Sequence, residues 1–232
     1  MIAFEQILAL PLIDFVAVAL MISSFFALGW WIEHPGAQRP SVTMLMAERN
    51  HAWMREFVTR EPRIFDSQML ASLRQGTSFF ASTNLFAIGG LLALMGNTEP
   101  LRGVAEQIMA QPTPIIIWEL KLGVVALFLV NAFLKFVWAH RVFGYTSVLM
   151  AAVPNDPSDP MAYPRAAQAA ELNIRASLNF TRGLRAMYFA LGALGWLLGG
   201  WGLLATSLTV IWLVWSREFA SRPRSILLKL DP

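Results

Sequence analysis

The sequence predicts an all-α integral membrane protein, a helical bundle of four to five transmembrane helices with amphipathic helices along its surfaces. The chain of 232 residues is 56% hydrophobic and only 14% charged, against roughly a quarter charged in an average soluble domain. Its apolar residues come in unbroken runs rather than in the alternating patterns of a soluble fold. Cys is absent, which excludes disulfides, thiolate metal sites and a cysteine nucleophile. The net charge is +3, and all the basic residues except Lys121 and Lys135 lie in the connections and the tail, outside the apolar runs. They are placed as topology signals rather than as a patch suited to nucleic acid, so nucleic acid is not an expected partner.

A span needs about 20 apolar residues to cross a hydrocarbon core of roughly 30 Å. The first covers residues 10–32, opened by Pro11 in a first-turn position and closed by Trp30, Trp31 and His34-Pro35-Gly36. No Lys or Arg precedes Arg39, so the run lacks the basic start of a secretory signal and is expected to stay as a membrane helix. The second span, residues 78–96, continues backwards as a helix to Asp66 as N-cap, giving about 45 Å of helix whose early turns project from the membrane. The third, residues 115–139, lies between Pro112-Thr113-Pro114 and His140-Arg141. The last run holds Gly199-Gly200 near its middle. It reads either as one tilted helix or as two short spans, 186–198 and 201–215.

Basic residues arbitrate. Connection 33–77 carries Arg39, Arg49, Arg55, Arg60, Arg63 and Arg74, and connection 140–185 carries Arg141, Arg165, Arg175, Arg182 and Arg185. The connection after the second span has only Arg102, and the tail has Arg217, Arg222, Arg224 and Lys229. The positive-inside rule puts both long connections in the cytoplasm and the N-terminus outside. A hairpin at the glycines then returns the tail to the cytoplasm, which favours five crossings, with the first short helix extended back to Pro164 on the cytoplasmic side. The whole of residues 1–232 is read as a single transmembrane domain.

Two further segments are amphipathic. Met46, Trp53, Met54, Phe57 and Val58 fall near one side of a helix over 43–60, and Leu101, Val104, Ala105, Ile108 and Met109 follow the same rule on the opposite side of the membrane. Both are expected to lie along the bilayer surface.

Several segments together resemble one family: Arg49-Asn50-His51-Ala52-Trp53-Met54, Arg60-Glu61-Pro62-Arg63-Ile64-Phe65-Asp66, and Ser78-Phe79-Phe80-Ala81-Ser82-Thr83 leading to Gly89-Gly90. To these add Phe133-Leu134-Lys135-Phe136-Val137-Trp138 with Arg141, Asn179-Phe180 with Gly183-Leu184-Arg185-Ala186-Met187-Tyr188-Phe189-Ala190, and Arg217-Glu218-Phe219-Ala220-Ser221. The chain is similar, from about Phe15 to Ser221, to the uncharacterised membrane family called domain of unknown function five-nine-nine. The resemblance implies a bacterial-type multi-pass protein and carries over no activity, cofactor or active site; the expected location is the bacterial inner membrane.

Ionisable and polar groups within the spans are the default functional candidates. Asp14 sits in a first turn, where the helix dipole favours a carboxylate, and Glu119 and Lys121 lie near enough to a helix end to reach headgroups. Lys135, with Asn131 and Trp138, forms a polar stripe on the third span. Ser78, Ser82 and Asn84 on the second serve either close helix packing or, with Asn131 and Lys135, a polar path, and Asn84 is expected to bond Asn131 or Lys135. Arg175, Arg182 and Arg185 form a basic cluster suited to anionic lipid headgroups. Glu48 and His51 have metal-ligand spacing but no second copy, and His140 has no facing histidine for a haem. No metal, cofactor or enzymatic motif is expected. The functional expectation is a structural or accessory subunit that associates with other membrane proteins or with itself. A homo-oligomeric channel or small-solute transporter is the alternative, and a lipid-modifying membrane enzyme is third.

Overall fold

The structure is a computed structural model that describes residues 6, 10–96 and 114–229. Every regular element among the described residues is helical: α1 (Leu12–Glu33), α2 (Val42–Thr59), α3 (Ile64–Gly96), α4 (Ile115–Ala151), α5 (Ala162–Ala193) running into a 3-10 turn (Leu194–Leu198), α6 (Gly200–Phe219) and α7 (Arg222–Lys229). The surface helix expected around Leu101 to Met109 lies outside the described residues. Among the described residues four stretches are long and apolar enough to cross a membrane: Leu12–Glu33, Ile64–Gly96, Ile115–Ala151 and Gly200–Lys229. The all-α, multi-pass membrane class read from composition is the class observed. Helix α5 is not one of the four, because Arg165, Glu171, Arg175, Arg182 and Arg185 are spread along its length and leave no sufficiently apolar run.

Local chemistry sets the helix ends. Ser41 caps α2, its hydroxyl accepting from the Met44 N–H at 3.2 Å while donating to the Ile32 carbonyl at 2.7 Å. Helix α3 begins at Ile64, so Asp66 is not its N-cap; it lies inside the first turn. Its buried carboxylate instead accepts from Trp53 Nε1 at 2.7 Å and from Arg60 at 2.5 Å. Helix α4 runs twelve residues past the expected end at Ala139, to Ala151. Val142, Phe143, Thr146 and Met150 keep a buried helical stripe there, and the polar pair His140-Arg141 does not interrupt the backbone ladder. Pro154 follows the end of α4, and Arg63 collects the freed carbonyls of Val153 and Pro154, each at 2.8 Å. Asp159 accepts from Met161 N–H at 2.7 Å at the entry to α5, with Pro164 in the first turn.

The chain divides into two compact units. The first comprises Met1–Trp31, Asn84–Ala132 and Leu184–Ser216. Its buried residues include Met21 and Leu28 of α1, Trp118, Leu122 and Phe128 of α4, Phe189 of α5, and Leu203 and Val214 of α6. Phe25, Phe128 and Phe189 meet edge to face or tilted, with centroids 5.2 to 5.9 Å apart. Within this unit the chain reverses at Gly199, whose φ of 88° and ψ of 179° belong to glycine alone. Beyond the reversal α6 returns along α5: Thr206 donates to the Gly192 carbonyl at 2.7 Å, and Gly195 and Gly202 touch so closely that a Cβ on Gly202 would sit 2.5 Å from the Gly195 oxygen.

The second unit comprises Ile32–Thr83, Phe133–Gly183 and Arg217–Pro232. Met54, Phe57 and Val58 of α2, Leu70 of α3, Val142, Phe143 and Met150 of α4, and Ala162, Ala166, Ala169, Ala170 and Ala176 of α5 form its core. The alanines let α5 approach its neighbours closely. Helix α2 therefore packs its apolar face on its own unit. That face is Leu45, Ala47, Met54, Phe57 and Val58, with Trp53 half-buried, whereas Met46, expected on it, is exposed. The Glu218 carboxylate accepts both the backbone N–H and the hydroxyl of Thr43, at 3.0 and 2.9 Å, pinning the start of α2.

Candidate functional site

In the second unit α4 and α5 run antiparallel: Phe136 lies against Gly183, and Arg165 donates to the Ala152 carbonyl at 2.8 Å. That register sets Lys135 opposite Arg182 and Tyr145 opposite Leu172. Between the helices is a cleft of about 630 Å³ lined by Lys135, Trp138 and Tyr145 on one side and Arg175, Asn179 and Arg182 on the other, with Val142, Leu172 and Leu178 as its apolar wall. Three of its nine lining side chains are cationic and none is a carboxylate. Arg182 reaches outward to Glu33, its Nε donating at 2.8 Å and its second donor at 2.5 Å. This bidentate bond raises the Arg182 pKa above its ordinary range. Arg141 braces the rim: its guanidinium lies 6.0 Å from the Trp138 ring centroid and its Nε donates to the Tyr145 hydroxyl at 2.5 Å.

The residues singled out in the sequence are regrouped by the structure. Lys135, read with Asn131 as a polar stripe, joins Arg175 and Arg182 instead. Arg185, read with those arginines, is buried in the first unit, its guanidinium 5.9 Å from the Phe25 ring and packed on Gly29, where a Cβ would come within 2.9 Å. Asn131 is exposed. Asn84 is fully buried and donates at 2.6 Å to the backbone carbonyl of Leu129, which corrects the expectation of a side-chain partner in Asn131 or Lys135. Ser78 and Ser82 are exposed on α3. With Gly89 they fall on one face, four and seven residues apart, and a Cβ on Gly89 would meet nothing within 4 Å.

A second polar constellation lies in the first unit. Asp14 is buried in the opening turn of α1 and accepts from Trp196 Nε1, while Lys121, also buried, interacts with the Asp14 charge. The Lys121 ammonium stands 5.3 Å from the Trp118 centroid and 5.9 Å from that of Trp196. The expectation that Lys121 reaches headgroups is thus corrected: its side chain is buried and its ammonium lies by two indoles. Among the described residues no group of three or more His, Cys, Asp or Glu side chains is placed to hold a metal ion.

The family of proteins of unknown function DUF599 matches residues 16–223. The chain belongs to the DUF599 family. No curated protein and no solved structure matches it.

The segments that carry the DUF599 resemblance hold much of the observed bonding. Trp53, Arg60 and Asp66 form one hydrogen-bonded cluster, Lys135 and Trp138 line one side of the cleft with Arg141 at its rim, and Glu218 pins Thr43. The partnerships of Asp14 with Trp196 and of Glu33 with Arg182 had no sequence signal, since each joins residues more than a hundred positions apart. Lys135 with Arg182 did have one: two cations near the same boundary on consecutive helices joined by a short linker.

Proposed function

We propose that this DUF599 member is an accessory protein of the bacterial inner membrane that associates through the outward face of α3 with a second copy or with another membrane protein. The observation behind this reading is the length of that face. Exposed apolar side chains extend from Ile64 through Phe65, Phe79 and Phe86 to Leu94, about 45 Å along the helix. Bringing all of it into a hydrocarbon core of roughly 30 Å would take a tilt of about 50°, beyond the 0–40° range of membrane helices. Part of the face must otherwise meet headgroups or water, and a partner helix relieves that cost. The Ser78, Ser82 and Gly89 lane is the surface along which helix backbones approach closely in lipid.

In this reading the N-terminus is outside and the tail cytoplasmic, as the basic residues of 33–77 and 140–185 favour. The chain has no Cys, so single cysteines report contacts cleanly. Cysteines replacing Ser82 or Gly89 should crosslink in native membranes, to a second copy or to another chain, while one replacing exposed Leu127 on α4 should not. A monomer that extracts alone, with no crosslink at either α3 position, would overturn the reading.

A further inference from the structure

We infer that the cleft between α4 and α5 seats the phosphodiester of an anionic membrane phospholipid. This is independent of what packs on α3. The charge is complementary: Lys135, Arg175 and Arg182 line the cleft with the Asn179 amide beside them. Arg182 is engaged by Glu33, whereas the Lys135 ammonium and the Arg175 guanidinium make no hydrogen bond or ion pair among the described residues, the Asn179 amide donating to the Arg175 backbone carbonyl instead. Two cations face a common space with no internal counter-ion, and a phosphodiester monoanion supplies one.

The same site distinguishes a lipid from a soluble phosphate ester. Lys135 belongs to α4, one of the helices apolar enough to cross a membrane, and Leu134 and Val137 beside it are 59% and 45% exposed. Trp138, on the cleft wall and 48% exposed, has the amphipathic ring that favours the boundary between headgroups and acyl chains. A ligand whose phosphate reaches Lys135 and Arg175 would lay its glycerol against Trp138 and its chains along Leu134 and Val137. A free phosphate would satisfy only the first of these contacts. The cleft's roughly 630 Å³ lies within the 300–1,000 Å³ range of small-molecule sites and has room for a headgroup.

The test uses the full-length protein in mild detergent with three probes: phosphatidylglycerol, phosphatidylethanolamine and glycerol phosphate. Binding is read by intact-mass adducts and by the shift in melting temperature. Phosphatidylglycerol should bind and stabilise, and the other two should do so far less. Each neutralised charge near an anionic headgroup is expected to weaken binding about fivefold, so Lys135→Gln with Arg175→Gln should weaken it about thirtyfold. Lys135→Arg with Arg175→Lys should retain it, and Arg222→Gln, outside the cleft, should leave it unchanged. Equal binding of phosphatidylethanolamine, or undiminished binding by the double glutamine variant, would overturn the proposal. Glycerol phosphate binding as tightly as the lipid would overturn the lipid in favour of a soluble phosphate ester. If the glutamine variant fails to fold, the comparison of the three probes on the unaltered protein still decides.

Discussion

Trp196 donates its indole N–H to the carboxylate of Asp14, joining residues 182 positions apart in the first unit. The bond ties the 3-10 turn after α5 to the opening turn of α1. Lys121 provides the positive charge that makes a buried carboxylate tolerable there.

The three residues should therefore behave as one. Trp196→Phe is expected to cost about 1.5–3 kcal/mol, the value of a hydrogen bond to a charged group. Asp14→Ala should cost somewhat more, because it also removes a negative charge that acts on the buried Lys121 ammonium. Adding Lys121→Met to Asp14→Ala should recover part of that loss. Unfolding in detergent read by Trp fluorescence checks the cycle, and strictly additive losses would mean the groups are not coupled.

Gly199 makes a second, simpler prediction. Its φ of 88° with an extended ψ excludes a Cβ without strain, so Gly199→Ala should destabilise by about 1–3 kcal/mol. Gly36→Ala, in the connection after α1 where a Cβ would meet nothing within 4 Å, should change stability by no more than about 0.5 kcal/mol. Thermal melts of the two purified variants compare them directly.

For the Arg182 and Glu33 pair the geometry matters more than the charge. Their side chains are 36% and 15% exposed, so solvent screens part of the attraction. Arg182→Lys keeps the charge but loses the paired donors, and is expected to cost about 1 kcal/mol. Melts of that variant and of Glu33→Gln should show similar losses, and the double variant should lose little more than either.

Asn84 separates packing from passage. One amide-to-carbonyl bond inside a bundle contributes on the order of 0.6–1.7 kcal/mol, so Asn84→Leu should lower stability by about that much. Folding and membrane insertion should survive. Liposome flux assays on this variant also bear on the channel alternative, which requires Asn84 to meet water.

The orientation is open to direct measurement. Ser158 lies in the loop between α4 and α5, where Asp156 accepts its backbone N–H at 2.8 Å and its hydroxyl at 2.7 Å. A cysteine there should be labelled by an impermeant reagent only from the cytoplasmic side. Labelling from outside would invert the topology.

The membrane class was legible because it depends on composition and run length, which a sequence displays directly. The start of the chain reversal at Gly199 was legible for a related reason, as paired glycines in an apolar run mark a break. Helix ends were less so. Asp66 has the chemistry of an N-cap, but Trp53 and Arg60 compete for its carboxylate from a neighbouring segment, and the helix starts two residues earlier. Arg185 shows the same limit for the site: spacing places it with Arg175 and Arg182, yet a glycine on α1 opens a pocket that takes its guanidinium elsewhere. Side chains that choose among distant partners cannot be read from local pattern.

The hydroxyl of Ser41 works as a joint with no slack. One oxygen terminates α1 by donating to Ile32 and initiates α2 by accepting from Met44. The direction in which the chain leaves α1 and the direction in which it enters α2 are therefore set at a single atom. Residues between them can be exchanged or even inserted at the exposed Gly36 to Gln38, provided the added chain bulges outward. Moving Ser41 by one position, with the connection kept the same length, would free both helix ends at once.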